Sequence, residues 1–265
     1  MSVFGGDYSA YYDLFYADKD YRAEADFVRA VIERNAPGAR VLLELGCGSA
    51  RHAVEFVRSG FTVTGIDRSS EMIARGEQRR GALAPELQNR LSLLQGDAAS
   101  YKPAGRYDAV VSLFHVVCYQ TTEHGLNSVF QVARSALRAG GVFVFDFWHG
   151  PAVLAQGPEI RERHISTAVA DITRKAEPTH HPDRNVVDVK YTLTSVDRKS
   201  GSAQQNVEVH SVRYLFLPEI SAVAAKNGFA LVESGQWLTE KPLDQNCWSG
   251  YVTLKAIEDV IAAAP

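Results

Sequence analysis

Within sixteen residues, VLLELGCGSARHAVEF (41–56), an apolar run ends on an acid, breaks into two glycines and passes into helical spacing. No other stretch constrains the fold of this chain as strongly. The run ARVLLEL is short and almost uninterrupted, as expected of a strand buried on both faces of a parallel sheet. Apolar residues at Ala53, Val54, Phe56 and Val57, closed by Gly60, predict a helix from Arg51 to Ser59. A strand that turns into a helix through bare glycines lets a ligand approach the backbone, because Gly has no Cβ to obstruct it.

The same alternation recurs downstream. FTVTGID predicts a second strand ending on Asp67, and Ser69 or Ser70 caps the next helix with Glu71 placed against its dipole. RLSLLQGD supplies a third strand ending at Asp97, YDAVVSLF a fourth and VFVFDFW a fifth, with LNSVFQVARSALRAGG read as a helix closed by its glycines. Strands and helices alternating at short connections predict an α/β fold with a doubly wound, mostly parallel sheet. Crossover handedness places the loops after the strand ends on one shared edge, where ligands bind. Upstream, residues 9–35 read as one helical stretch. Its start is aromatic (Tyr11, Tyr12, Phe15, Tyr16), it continues as YRAEADFVRAVIERN, and Pro37-Gly38 ends it.

The texture changes after Trp148. Three alternating runs within 159–216, RERHISTAVADITRKA, NVVDVKYTLTSVD and NVEVHSVRYLFL, predict a three-stranded antiparallel meander inserted into the fold. LPEISAVAAKNGFALVESGQWL then returns to a helix and a strand, and GYVTLKA to a last strand. The division expected is a core of residues 1–155 and 217–265, with an antiparallel β insertion over 156–216.

Composition excludes several classes. With 46% hydrophobic and 22% charged residues over 265 positions, the chain reads as one ordinary soluble globule with a full core. A net charge of −3 gives no electrostatic footprint for nucleic acid or an anionic membrane. No run of eighteen apolar residues predicts a span, the first residues lack the basic region of a signal peptide, and a cytoplasmic setting is the default. Cys47, Cys118 and Cys247 are odd in number and far apart, which argues against disulfides and CxxC sites. No His/Cys/Asp cluster has metal-ligand spacing, so no metal is expected.

The acids choose among nucleotide-like ligands. Gly46 and Gly48 fit the first two positions of G-x-G-x-x-G, but Arg51 fills the third, and no P-loop Gly-Lys-Ser/Thr follows. Glu44 would repel a pyrophosphate and attract an ammonium. S-adenosylmethionine carries an ammonium, a sulfonium, a ribose and an adenine, and no phosphate. Asp67 can accept from both ribose hydroxyls, a feature shared with NAD enzymes. Asp97 can accept from an adenine amine or can simply be a turn residue.

In order and spacing, ELGCGSA, GIDRSSEMI, GDAASY, YDAVVSLF and ALRAGGVFVFD resemble the class I S-adenosylmethionine-dependent methyltransferases over roughly residues 40–150. The resemblance implies a seven-stranded sheet whose last strand is antiparallel. It implies that Glu44, Gly46 and Gly48 hold the methionine part, Asp67 the ribose, and Asp97 with Ala98 the adenine. Met72 then touches the nucleoside, and Arg68 and Phe114 join the cofactor set. Ala50 departs from the family, many of whose members have a third glycine there.

The aromatic N-terminus and the β insertion are similar to small-molecule N-methyltransferases, such as those of glycine and of deoxyaminosugars. That likeness implies an aromatic lid, for which Tyr12, Tyr16 and Tyr21 are candidates beside plain packing, and an insertion that roofs the acceptor. The sulfonium is already a good leaving group, so catalysis reduces to placement and, for a protonated nucleophile, a base. His115 and Tyr119, after the fourth strand, are the candidates. Trp148 and His149 face the same crevice. His180 and His181 read as solvated turn residues, and His164 and His210 as structural. The expected partner is a small-molecule acceptor, with neither nucleic acid nor membrane, and a homodimer is left open. The alternatives are an O-methyltransferase, an NAD-dependent oxidoreductase and a non-catalytic cofactor-binding protein.

Overall fold

The computed structural model describes Tyr11 and residues 13–257. A helix, α1 (Tyr21–Asn35), leads into β1 (Val41–Leu45), α2 (Arg51–Arg58), β2 (Thr62–Asp67), α3 (Ser70–Gly81), a single turn α4 (Pro85–Gln88) and β3 (Leu91–Gln95). Then come β4 (Tyr107–Ser112), α5 (Glu123–Ala136), β5 (Leu137–Trp148) and α6 (Gly150–Gln156). Four strands follow: β6 (Arg161–Ser166), β7 (Ala170–His181), β8 (Val186–Asp197) and β9 (Ala203–Arg213). The chain returns through α7 (Leu217–Lys226), β10 (Phe229–Gln236) and β11 (Ser249–Ala256).

Seven strands form one sheet in the order β10-β11-β5-β4-β1-β2-β3. β1 pairs parallel with β2 and β4, while β11 runs antiparallel between β5 and β10. This is the doubly wound sheet that the strand–helix alternation predicts, with the antiparallel last strand that the resemblance implies. Successive residues of each central strand feed opposite layers. Leu42, Val142 and Val144 pack under α1 and α2 with Val28, Ile32, Phe56 and Val57. Leu43, Phe143 and Phe145 pack under α5 and α7 with Phe130, Ala133 and Ile220. Helices on both faces account for the near-continuous apolar runs.

The structure corrects four details. The N-terminal helical stretch is broken over residues 16–20, where Asp20 caps α1 by accepting from the Ala23 N–H at 2.9 Å. The helix expected to run to Gly140-Gly141 stops at Ala136, and Leu137 already belongs to β5. The insertion holds four strands, in the order β6-β7-β8-β9, because RERHISTAVADITRKA turns back on itself at Thr167. His180 and His181 are half-buried strand residues, paired with the Tyr214 hydroxyl at 3.0 Å and with Asp188 at 2.9 Å.

The insertion is seated on the core by two small clusters. Val187, Val189 and Tyr214 close around Val153 of α6, and Ala170, Ile172 and Leu193 close around Phe15. The same sheet thereby touches both the core and the N-terminal segment. No helix among the described residues is long and apolar enough to cross a membrane.

Candidate active site

The turn after β1 is set by backbone geometry. The N–H groups of Gly46 and Cys47 both donate to the Ile66 carbonyl, at 2.8 Å each. Gly46 has φ +75°, and a Cβ there would lie 2.4 Å from Cγ1 of Val116; Gly48 has φ +52° and open space where a Cβ would point. The Gly48 N–H donates to Asp67 Oδ2 at 2.8 Å and the Ser69 N–H to Oδ1 at 2.9 Å. Burial raises the Asp67 pKa, opposed by those two N–H groups. Ser69 in turn caps α3 by accepting from the Met72 N–H at 3.2 Å. Asp97 Oδ1 accepts from the Ala99 N–H at 2.8 Å, so the residue builds its own turn and also stands in the cavity wall.

A cavity of about 1050 Å³ opens along this edge of the sheet. Gly46, Gly48, Asp67, Arg68, Met72, Asp97 and Ala98 line one part of it. Tyr16, Tyr21, Phe114, His115 and Tyr119 line it as well. Tyr12 lies outside the described residues.

Glu44 is placed differently from expectation. It is buried behind the glycine turn, outside the cavity wall, and its Oε2 has no hydrogen-bond partner. Burial, with the Asp67 carboxylate nearby, pushes its pKa up to about 8. His52, which lines the cavity, has Nδ1 3.9 Å from Glu44 Oε1 and Nε2 2.7 Å from Glu24 Oε2. Burial raises the Glu24 pKa, but the His52 hydrogen bond and charge and the Lys19 ammonium outweigh it and hold the value at about 2. Three side chains thus connect the glycine turn to α1.

Arg51, where a dinucleotide motif would have its third glycine, holds the N-terminal segment instead. Its Nε donates to Asp13 Oδ1 at 3.1 Å, Arg79 reaches the other oxygen at 2.9 Å, and the Ser49 hydroxyl donates to Oδ1 at 3.0 Å. Although burial raises the Asp13 pKa, these partners bring it below the ordinary carboxylate value. Tyr16 packs edge-on to Phe114 at 5.0 Å and accepts from Arg174 of β7 at 3.0 Å. Tyr21 packs on His52 at 4.8 Å. Both aromatics line the cavity and pack against its wall.

After β4, Phe114 and His115 adopt consecutive left-handed conformations, φ +65° and +64°. Such backbone costs of order 1–3 kcal/mol per residue and persists where surroundings enforce it. Here the His115 N–H donates to both Asp146 oxygens, at 3.0 and 3.2 Å, and Nε2 lies 3.0 Å from Ser249 Oγ. Tyr119 Oη lies 3.0 Å from Nδ1 of His210, whose Nε2 lies 3.0 Å from Glu208 Oε2.

Sequence reasoning missed His52, Arg174, Tyr191, His210 and Trp248, all of which line the cavity. For the insertion the available signal was strand alternation. Arg174 and Ala176, two apart on β7, share the face that looks into the cavity.

Comparison with known proteins agrees with this geometry. Residues 42–141 match the family described as a methyltransferase domain. The chain is 31% identical over 153 residues to the dTDP-3-amino-3,4,6-trideoxy-alpha-D-glucopyranose N,N-dimethyltransferase of Streptomyces venezuelae, covering 57% of this chain and 61% of that one. It thus spans less than two thirds of that relative's length. It is 24% identical to the dTDP-3-amino-3,6-dideoxy-alpha-D-glucopyranose N,N-dimethyltransferase of Streptomyces fradiae, covering 74% of each. Its fold matches the sugar N-methyltransferase KedS8 from Streptoalloteichus sp ATCC 53650 with a TM-score of 0.79 at 23% identity, over 97% of both chains. The resemblance to the S-adenosylmethionine-dependent methyltransferases, and the fold it implies, are borne out.

Proposed function

We propose that this chain, whose residues 42–141 match the methyltransferase-domain family, uses S-adenosylmethionine to methylate the nitrogen of a small-molecule amine. The observation that carries the reading is one cavity with two kinds of wall. Glycine backbone, Asp67 and Asp97 form the first; aromatic rings and imidazoles, several from the insertion, form the second.

The residues present fit the cofactor. Glu44 Oε2 is an orphaned buried polar atom behind the glycine turn, and a cation bound in front of that turn would favour release of the proton that burial keeps on this carboxyl. Gly46, Gly48 and His52 would hold the amino-acid end, with Glu44 buried behind them, Asp67 the ribose, and Met72, Asp97 and Ala98 the adenine. When bound, S-adenosylmethionine supplies a methyl group already activated by the sulfonium. What remains for the chain is to place a nitrogen lone pair, remove its proton and keep water away. Tyr16 and Phe114, packed edge-to-face, and the Trp148 and Trp248 rings, 5.4 Å apart, supply apolar walls. The negative faces of such rings favour a cationic centre.

The division into a cofactor-binding core and an insertion that selects the acceptor belongs to this proposal. A cytoplasmic setting and a small-molecule acceptor complete it. The relatives named for aminosugars support an amine over a hydroxyl acceptor. The test is S-adenosylhomocysteine formation with dTDP-3-amino-3,4,6-trideoxy-α-D-glucopyranose, with glycine, and with dTDP-glucose, which lacks the amine. Product formation that requires an amine, with the methyl on nitrogen by mass spectrometry, is expected. Turnover of hydroxyl acceptors alone would contradict the reading.

A further inference from the structure

Tyr119 and His210 come from different parts of the chain and meet in the cavity wall. Tyr119 ends the short 3₁₀ turn after β4, and His210 sits on β9 of the insertion with 2% of its surface exposed. The contacts form a line: Tyr119 Oη to His210 Nδ1 at 3.0 Å, then His210 Nε2 to Glu208 Oε2 at 3.0 Å. Glu208 and His210 are two apart on one strand and so share a face. An ionised carboxylate only accepts hydrogen bonds, so Glu208 selects the tautomer with hydrogen on Nε2. Nδ1 is then the acceptor for the phenol. Carboxylate, imidazole, hydroxyl and cavity stand in the order that a base relay requires.

We propose that His210 is a positioning residue that takes the acceptor's proton through Tyr119. The proposal rests on the amine reading above. An alkyl ammonium has no lone pair to offer at neutral pH until one N–H bond breaks. As it breaks, that proton forms a bond to Tyr119 Oη, while the phenol's own proton passes to Nδ1. The nitrogen keeps the electron pair and becomes the nucleophile. The imidazolium that results is balanced by Glu208, whose side chain is 11% exposed and gives the proton a route to solvent.

The other groups facing His210 are consistent with this. The Tyr191 ring of β8 stands edge-on at 4.9 Å, and the Arg174 guanidinium of β7 lies over Tyr191, 5.3 Å from its ring. Glu208 is the charged group hydrogen-bonded to the imidazole. His115 is engaged elsewhere, with Nε2 at 3.0 Å from Ser249 Oγ and 3.4 Å from Asp146 Oδ2.

The first arm of the test needs no acceptor. In the full chain labelled with ¹⁵N-histidine, long-range ¹H–¹⁵N NMR at pH 8 should show His210 as the Nε2–H tautomer. Its Nδ1 signal should shift in Tyr119→Phe, and its titration midpoint should fall in Glu208→Gln, which removes the balancing anion. A hydrogen on Nδ1 would overturn the proposal, because the phenol proton would have no acceptor. The second arm uses whichever amine turns over in the assay above. Tyr119→Phe and His210→Gln should each lose about 10²–10⁴-fold in kcat with KM little changed. The acidic limb of the pH profile should vanish in His210→Gln and move to lower pH in Glu208→Gln. If His210→Gln does not fold, the partly exposed Glu208→Gln decides. An acidic limb that does not move in these variants would overturn the proposal. Should no amine turn over, the amine reading fails, while the NMR arm still reports on the relay.

Discussion

The backbone N–H of Gly48 donates to Oδ2 of Asp67 at 2.8 Å, joining the turn after β1 to the end of β2. The carboxylate assigned to the ribose therefore also shapes the loop assigned to the methionine end. Asp67→Ala is expected to raise the dissociation constant for S-adenosylmethionine about ten- to hundredfold. That matches the roughly 1.5–3 kcal/mol of a charged hydrogen bond. Calorimetry checks this, and an unchanged affinity in a folded variant would remove Asp67 from the site.

Glu44 makes stability depend on pH. Its pKa of about 8 in the fold lies above its ordinary 4.5, so the folded state holds a proton that the unfolded chain releases. Its contribution is fully present below pH 4.5 and is lost as pH rises to about 8. Glu44→Gln should flatten that part of the melting-temperature profile. A cation bound nearby favours the carboxylate, so cofactor binding at pH 7 should release a proton, read by calorimetry in buffers of different ionisation enthalpy. No proton release, or the same pH slope in Glu44→Gln, would contradict this account.

Gly46→Ala is expected to fail on two grounds. Its φ of +75° favours glycine, and the added methyl would meet Val116 at 2.4 Å. A loss of about 1–3 kcal/mol of stability, with weaker cofactor binding, should follow. Denaturant unfolding that matches the parent protein would show that the turn relaxes freely.

His115→Asn should lower stability by about 1 kcal/mol through loss of the Ser249 contact, read by denaturant unfolding. The acidic limb of the rate profile should remain, since the proton is assigned to Tyr119 and His210. Disappearance of that limb would return the base to His115.

Much of this was legible in the sequence because buried strands and their terminal acids leave local marks. ELGCG, GID and GDA each place an acid where a strand ends, and all three loops reach one edge. The turn at Thr167 was not legible. It contains no Gly, Pro or Asn, and it is closed by the Thr167 N–H and hydroxyl and the Ala170 backbone, at 2.9 Å each. The break before α1 is set by one capping Asp amid residues that read as helical. Glu44 was recognised as an acid but not as a buried one, because its depth depends on His52, Glu24 and α1 packing over it. Nothing local in the sequence links His210 to Tyr119, 91 residues away, so its alternating strand marks it only as structural.

The central claim is that the glycine turn, Asp67 and Asp97 form one S-adenosylmethionine site. Isothermal titration of the full chain with S-adenosylmethionine, S-adenosylhomocysteine and NAD tests it most directly. One site per chain for both sulfur compounds, weakened by Asp67→Ala, with no heat from NAD, is expected. Binding of NAD in preference to S-adenosylmethionine, or no binding of either sulfur compound to the folded protein, would contradict it.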